Sequence, residues 1–434
     1  MLKNRQILAK ITNFLDKEIN LLFLGSRQVG KTRLLLLIEQ QLLQRNIAKP
    51  NQIFKFDMEN SNDLAMISNL DPLQFIDSLY TRSTLPPDSP IFLFLDEIQY
   101  IPKASSFLKV IADHRPHARM YLSGSSSLEI KRIFSDRLTG RKISFQVNTL
   151  NFSEYLSFQE NPLANAWEKI DREQLLSGNI QSLKNYTAFL PEINPLFEEF
   201  VLSGGYPKPS LKEYQSVRYD LLSEIRDQYA RRDVRDILNI DNIPGFNLLL
   251  GLLASQIGNL VNMNELATSA RLSRHTVDKY LFLMSETFII NLVVPYFKNS
   301  RLELVKMPKI YFSDTGLRNA LIGFNFNGHL ELRPDKGALV ENTIYHELRI
   351  AGYEPKFWRT KSQTEVDFVL SHPQFSEIPI EVKYQPMNNP SVPNGIESFI
   401  SKYNPHHAIV ATRDYLGKTT CNSTPVYFIP VMFF

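Results

Sequence analysis

Twelve residues constrain this chain more than any other stretch: Leu21-Leu22-Phe23-Leu24-Gly25-Ser26-Arg27-Gln28-Val29-Gly30-Lys31-Thr32. An apolar run reads as a buried strand that ends at Gly25. Thr32-Arg33-Leu34-Leu35-Leu36-Leu37-Ile38 then reads as a helix. Gly25-x-x-x-x-Gly30-Lys31-Thr32 is a phosphate cradle in its required strand–loop–helix setting. The glycines let successive backbone N–H groups turn inward, and the helix N-terminus adds its positive end. Lys31 is placed for the β- and γ-phosphates and the Thr32 hydroxyl for Mg²⁺. The binding residues expected here are Gly25, Ser26, Arg27, Gln28, Val29, Gly30, Lys31, Thr32 and Arg33.

A chain of 434 residues exceeds one ordinary domain, and 43% hydrophobic with 21% charged residues is the balance of a globular protein. A net charge of +3 and a pI near 8.6 permit a nucleic-acid partner without arguing for one. The single cysteine, Cys421, excludes an internal disulfide framework. No apolar run reaches membrane-spanning length, and no leader pattern opens the chain, so a cytoplasmic protein with no membrane partner is expected.

Further along, Ile53-Phe54-Lys55-Phe56-Asp57 alternates as a strand. Ile91-Phe92-Leu93-Phe94-Leu95 is continuously apolar, as in a strand covered on both faces, and ends in Asp96-Glu97. Asp96 is expected to hold Mg²⁺ through water, and Glu97 to polarise the water that attacks the γ-phosphate. Arg119 to Leu122 is another strand, ending in Ser123-Gly124-Ser125. Ser123 or Ser125 could contact the γ-phosphate or the lytic water; a plain polar turn would carry the same residues. Arg132, Arg137 and Arg141 follow. An arginine finger acting in trans would come from these, with Arg141 the first candidate, and would require a homo-oligomer. These features resemble the AAA-type ATPases, which implies ATP and Mg²⁺ as cofactors and a parallel-sheet domain over residues 1–150.

Residues 151–245 are expected as a helical lid or linker. Within them, 161–195 is polar and loop-rich, Gly204-Gly205 caps a helix, and Tyr219 to Asp236 is a long helix of paired charges that includes Arg231 and Arg232. Residues 246–307 read as a winged helix. A short helix at 264–270 and a second helix capped by Ser273 carry Arg274, His275, Thr276 and Lys279, with strands at 288–295 and 302–305 as the wing. Such a module could enter a DNA groove or could serve protein packing alone.

Residues 308–434 run helix, three strands, helix, strand, with a strand and turn at Pro308 to Leu317 opening the unit. Asp367, Glu381 and Lys383 fall at the ends of adjacent strands, Glu381 and Lys383 on one face. Two carboxylates can hold Mg²⁺ while the lysine activates water, and Glu341 on the preceding helix is a further candidate ligand. This resembles the PD-(D/E)xK nuclease core, with Val366 where that pattern has proline. The alternative is a salt-bridged, catalytically dead relic.

The whole chain resembles prokaryotic ATPases in which an AAA domain precedes a restriction-endonuclease-like domain of unknown function. The matching segments are Gly25–Thr32, Leu95–Gln99, Gly140-Arg141, Gly204–Pro207, Phe312–Leu317, Gly337–Glu341, Glu365–Asp367 and Ile380–Lys383. The resemblance implies an α/β multidomain protein with a helical and winged-helix middle. It implies ATP binding and hydrolysis and a nuclease-like partner domain, and no particular substrate. The two carboxylate constellations in one chain lead to the expectation of ATP hydrolysis coupled to nucleic acid, DNA before RNA, or of a nucleotide-dependent interaction switch whose nuclease-like domain is inactive.

Overall fold

The computed structural model describes residues 3–86, 89–125, 142–229, 240, 242–298, 303, 306–324, 329–387 and 389–434. They form two compact units, Met1–Asn148 with Glu286–Phe288, and Thr149–Ser285 with Ile289–Phe434.

The first unit is built on five parallel strands: β1 (Asn20–Leu24), β2 (Ile53–Asp57), β3 (Ile91–Asp96), β4 (Ala118–Gly124) and β5 (Lys142–Gln146), in the order β2-β3-β4-β1-β5. Every residue of β3 is buried, as its unbroken apolar run requires. Its core includes Phe75, Ile76 and Leu79 of the helix Pro72–Ser83, and Leu108 and Ile111 of the helix Ala104–His114, with Leu93, Leu95, Met120 and Leu122. Because β4 lies between β1 and β3, its C-terminal end sits between the glycine loop and the two acids. That order brings Ser123 to Asp96.

The second unit contains a six-stranded sheet, β12-β13-β11-β10-β9-β8. Its strands are β8 (Lys356–Arg359), β9 (Glu365–His372), β10 (Ser376–Lys383), β11 (Ala408–Thr412), β12 (Gly417–Cys421) and β13 (Thr424–Pro430). Strands β8, β9 and β10 are antiparallel neighbours, and β10, β11 and β13 run parallel. The helix Lys336–Ala351 precedes β8, and Asn394–Tyr403 crosses from β10 to β11. The sequence order of helix, three strands, helix and strand is present; β12, which forms a hairpin with β13, was not expected.

Two expectations change. The stretch 161–195 is not a polar excursion: Trp167, Leu175, Leu176, Leu183 and Ile193 are buried in one core with Ile344, Phe368, Ile380 and Ile429. The Trp167 indole N–H donates to the Met432 carbonyl at 2.8 Å. Its apolar residues are spread over very short helices, Ala164–Glu168 and Arg172–Leu176, too short to show a helical period. Second, the strand after Pro308, β7 (Lys309–Phe312), does not enter the six-stranded sheet. It pairs antiparallel with β6 (Ile290–Val293). The expected wing strand at 302–305 falls mostly outside the described residues, which there include only Glu303. The chain beyond β6 then runs along β8, with Tyr296 N–H donating to Phe357 O at 2.5 Å and Phe357 N–H to Val294 O at 3.3 Å.

Candidate functional site

The glycine loop is shaped by its neighbours. A Cβ on Gly25 would lie 2.1 Å from the Val147 carbonyl oxygen, so only glycine fits there. Gly30 takes φ 94° as it caps the helix Lys31–Gln44, a conformation open to glycine at little strain. Arg5, which sequence reasoning missed, fastens the loop by donating to Val29 O at 2.9 Å and Asn148 O at 2.8 Å. Nothing in a lone arginine near the N-terminus signals that role. Lys31 is buried; its ammonium donates to Gly25 O at 3.1 Å and Ser26 O at 3.0 Å and lies 3.7 Å from Glu97. Arg27 pairs with Glu59 at 3.2 Å and donates to the Tyr100 hydroxyl at 2.9 Å, while Arg33 is exposed.

The Thr32 hydroxyl donates to Asp96 Oδ2 at 2.5 Å. The Ser123 hydroxyl donates to Asp96 Oδ1 and accepts the Glu97 N–H at 3.1 Å. Ser123 therefore positions both acids, and Ser125 holds Gln99, which in turn donates to Glu97. Glu97 sits at φ 53°, a left-handed conformation that strains a non-glycine residue by about 1–3 kcal/mol. Burial lifts the Asp96 carboxyl above its ordinary value despite the Ser123 and Thr32 hydrogen bonds. Burial acts on Glu97 in the same direction, but Lys31, Gln99 and Arg27 outweigh it and hold that carboxyl below the ordinary range. The result is an ionised carboxylate beside a hydroxyl–carboxylate pair. Thr32 and Asp96 offer adjacent oxygens to Mg²⁺, and Lys31 and the loop N–H groups suit a polyphosphate, so these residues fit Mg·ATP. Arg132, Arg137 and Arg141 lie outside the described residues.

In the second unit the structure gathers the expected residues and adds two. Glu341, Asp367, Glu381 and Lys383 share one cluster, with Lys309 and Tyr311 of β7 inside it. The Lys309 ammonium donates to Glu341 at 3.0 Å, contacts Glu365, and lies 3.8 Å from Asp367. The Tyr311 hydroxyl donates to the same Glu341 oxygen. Asp367 accepts the Val382 N–H at 2.8 Å, and Lys383 donates to Glu381 at 2.7 Å. Burial, with Glu341 and Glu381 adding to it, pushes the Asp367 carboxyl well above its ordinary value. Burial would lower Lys309, but the surrounding carboxylates hold its ammonium above the ordinary lysine value.

Glu341, Asp367 and Glu381 were expected to share a divalent metal, and as they stand they do not fit one. Among the described residues no three His, Cys, Asp or Glu side chains are grouped to hold an ion. A divalent ion about 4 Å from the Lys309 ammonium would meet roughly 8 kcal/mol of repulsion at an effective dielectric of about 20.

The helices Met263–Ala270 and Arg274–Glu286 are the expected pair. Ser273 caps the second by accepting the Thr276 N–H at 3.0 Å. Leu266, Val277 and Leu281 are buried, while Arg274, His275, Lys279 and Phe282 are exposed. Arg231 and Arg232 lie outside the described residues.

Two sequence motifs, Gly204–Pro207 and Phe312–Leu317, turn out to be halves of one structural knot. Buried Asp314 accepts from Gly205 N–H at 2.7 Å and Leu317 N–H at 2.8 Å. Gly204 takes φ +69°, and a Cβ there would lie 2.2 Å from the Asp314 carboxylate. Beside it Thr149 bonds His346 Nε2 at 3.0 Å. On the same helix as His346, Glu347 accepts the Phe152 N–H at 2.7 Å and pairs with Arg172 at 3.1 Å. Burial raises the Glu347 carboxyl to about 7 and that of Asp314 to about 6.

Residues 17–156 match a family described as an AAA domain. Residues 194–327 and 336–431 match two families described as domains of unknown function, DUF8612 and DUF4143. An uncharacterized protein of Methanocaldococcus jannaschii is 24% identical over 375 residues, 85% of this chain and 74% of its own. One of Mycobacterium tuberculosis is 25% identical over 406 residues, 92% of this chain and 77% of its own. Among solved structures, a Walker-type ATPase of Pyrococcus abyssi aligns over 74% of this chain and 96% of its own, at 13% identity and a TM-score of 0.48. The ORC2 protein of Aeropyrum pernix aligns over 80% and 94%, at 11% identity and a TM-score of 0.41. The first unit, a parallel sheet with the glycine loop after β1, is thus the part of this α/β multidomain chain that is similar to an AAA domain. No described helix is long and apolar enough to cross a membrane.

Proposed function

We propose that this chain is a Mg²⁺-dependent ATPase whose nucleotide state governs a nucleic-acid-binding, nuclease-like second half. The convergence of Lys31, Thr32, Asp96 and Glu97 at the ends of β1 and β3 carries the reading. On ATP arrival Lys31 leaves Glu97 for the β/γ-phosphates, and Glu97, held by Gln99, is left to orient and deprotonate the attacking water. Mg²⁺ held by Thr32 and Asp96 would neutralise charge on the phosphate oxygens. Ser123 fixes both acids relative to one another.

The order of β8, β9, β10, the helix Asn394–Tyr403 and β11, with Asp367 on β9 and Glu381 and Lys383 on β10, supports a restriction-endonuclease-like fold. The exposed Arg274, His275 and Lys279 on a capped second helix, followed by the β6–β7 pair, support a winged helix that binds DNA before RNA. The seat of Lys309 among the carboxylates favours a second reading for the distal site, a switch that binds without cutting. A homo-oligomer in the cytoplasm, completed by an arginine in trans, belongs to the same proposal. The test is Mg²⁺-dependent phosphate release, binding and cleavage on DNA and RNA, with wild type beside Lys31→Ala and Asp367→Ala. Lys31→Ala should abolish ATP binding and turnover. ATP turnover by that variant would sink the ATPase reading. Failure of wild type to bind or cut either nucleic acid would sink the distal one.

A further inference from the structure

The carboxylate cluster of the second unit already contains a cation, and a strand of a different sheet delivers it. Lys309 opens β7, which pairs with β6 and not with the sheet that carries Asp367 and Glu381. The other side of β7 is tied to the segment between the helices Ile243–Ser255 and Met263–Ala270. There Gly258 N–H donates to Ile310 O at 2.8 Å, Ile310 N–H to Asn259 O at 3.1 Å, and Val261 N–H to Pro308 O at 2.8 Å. Lys309 and Tyr311, two residues apart, share one face of the strand and both donate to Glu341. The lysine side chain is 3% exposed. Its ammonium also contacts Glu365 and lies 3.8 Å from Asp367, so it reaches carboxylates from one helix and one strand of the nuclease-like fold.

We propose that Lys309 is the resident counter-ion of this cluster, and that its ammonium keeps a divalent metal from Glu341, Asp367 and Glu381. This deepens the nuclease-like reading and rests on it for the identity of the ion excluded. One ammonium neutralises half the charge that a divalent metal would, and Lys383 beside Glu381 adds a second, but neither presents a Lewis acid to a phosphate. The closed cluster therefore binds the fold together and performs no hydrolysis. Buried Glu381 Oε2, which has no hydrogen-bond partner among the described residues, marks an oxygen that an ion would find once the lysine is replaced.

The experiment counts Mn²⁺ bound to the nucleotide-free full chain by electron paramagnetic resonance. Wild type is compared with Asp367→Asn, Lys309→Met and the Lys309→Met/Asp367→Asn pair, with circular dichroism to verify folding. The expected result is equal Mn²⁺ binding by wild type and Asp367→Asn, one added ion per chain in Lys309→Met, and its loss in the double variant. Mn²⁺ bound by wild type and lost in Asp367→Asn would overturn the proposal, as would a folded Lys309→Met that gains none. Should Lys309→Met not fold, Lys309→Gln, which can still donate to Glu341, takes its place with the same two outcomes. Mn²⁺ gained by the lysine variant without any cleavage of nucleic acid leaves the lysine's role standing and removes the nuclease reading instead.

Discussion

Replacing Glu97 by glutamine keeps the side chain's shape and removes the charge that distinguishes a base from a spectator. General-base catalysis contributes about 10²–10⁴ in rate, so the variant should lose roughly 3–5 kcal/mol of transition-state stabilisation. Binding should move the other way. Lys31 lies 3.7 Å from Glu97, and two unit charges at that distance attract by about 4 kcal/mol at an effective dielectric near 20. ATP must draw Lys31 away from that attraction. In Glu97→Gln the lysine is released from the pair, so Mg·ATP should bind at least as tightly as in wild type while turnover collapses. Single-turnover phosphate release and binding of a fluorescent ATP analogue separate the two effects. The pH profile adds a check: in the free enzyme Lys31, Gln99 and Arg27 hold Glu97 below its ordinary value, so kcat/KM should not fall through a glutamate titration near 4.5. Turnover within about threefold of wild type would refute the assignment of the base; weakened ATP binding would refute the competition for Lys31.

Three other outcomes follow. Ser123→Ala removes the hydroxyl that joins Asp96 to the Glu97 backbone; kcat should fall by about tenfold or more with ATP affinity nearly kept, read from steady-state kinetics. Gly204→Ala would place a methyl against the Asp314 carboxylate at a left-handed backbone position, and should destabilise the second unit by at least about 2 kcal/mol in denaturant unfolding. Glu347 holds its proton to about 7, against an ordinary 4.5, so the native state retains a proton that the unfolded chain releases. Its contribution is full below about 4.5 and is lost as pH rises through 7, an effect of up to about 3 kcal/mol. Glu347→Gln should flatten that part of the stability–pH curve in thermal melts between pH 5 and 8.

The nucleotide site was legible because its determinants are local. Gly25–Thr32 lies on one turn, and Asp96-Glu97 closes an apolar run whose burial on both faces leaves it no place but the sheet centre. The pairing of Ser123 with Asp96 was not legible, since it depends on β4 lying between β1 and β3. Glu341, Asp367, Glu381 and Lys383 could be nominated from strand period and order. Lys309 could not: a lysine at a strand's start reads as a solvated end, and its burial follows from β7 pairing with β6. One signal was present, since Lys309 and Tyr311 alternate with Ile310 and Phe312 and so share a face. The core role of Trp167 to Leu183 is not legible because these residues hang on single helical turns, where composition looks polar and no period emerges.

The run of Val294 to Tyr296 along β8 has a practical consequence. A sheet's outer strand offers unpaired N–H and C=O groups to any passing chain, and proteins guard against this by covering it. Here the cover comes from the residues after β6, which occupy the Phe357 backbone groups. A fragment cut at position 308 would bare that edge and discard β6, the strand that holds β7 in register. It should self-associate through β8, and a silent assay on such a fragment would report on its aggregation, not on the chemistry of Asp367.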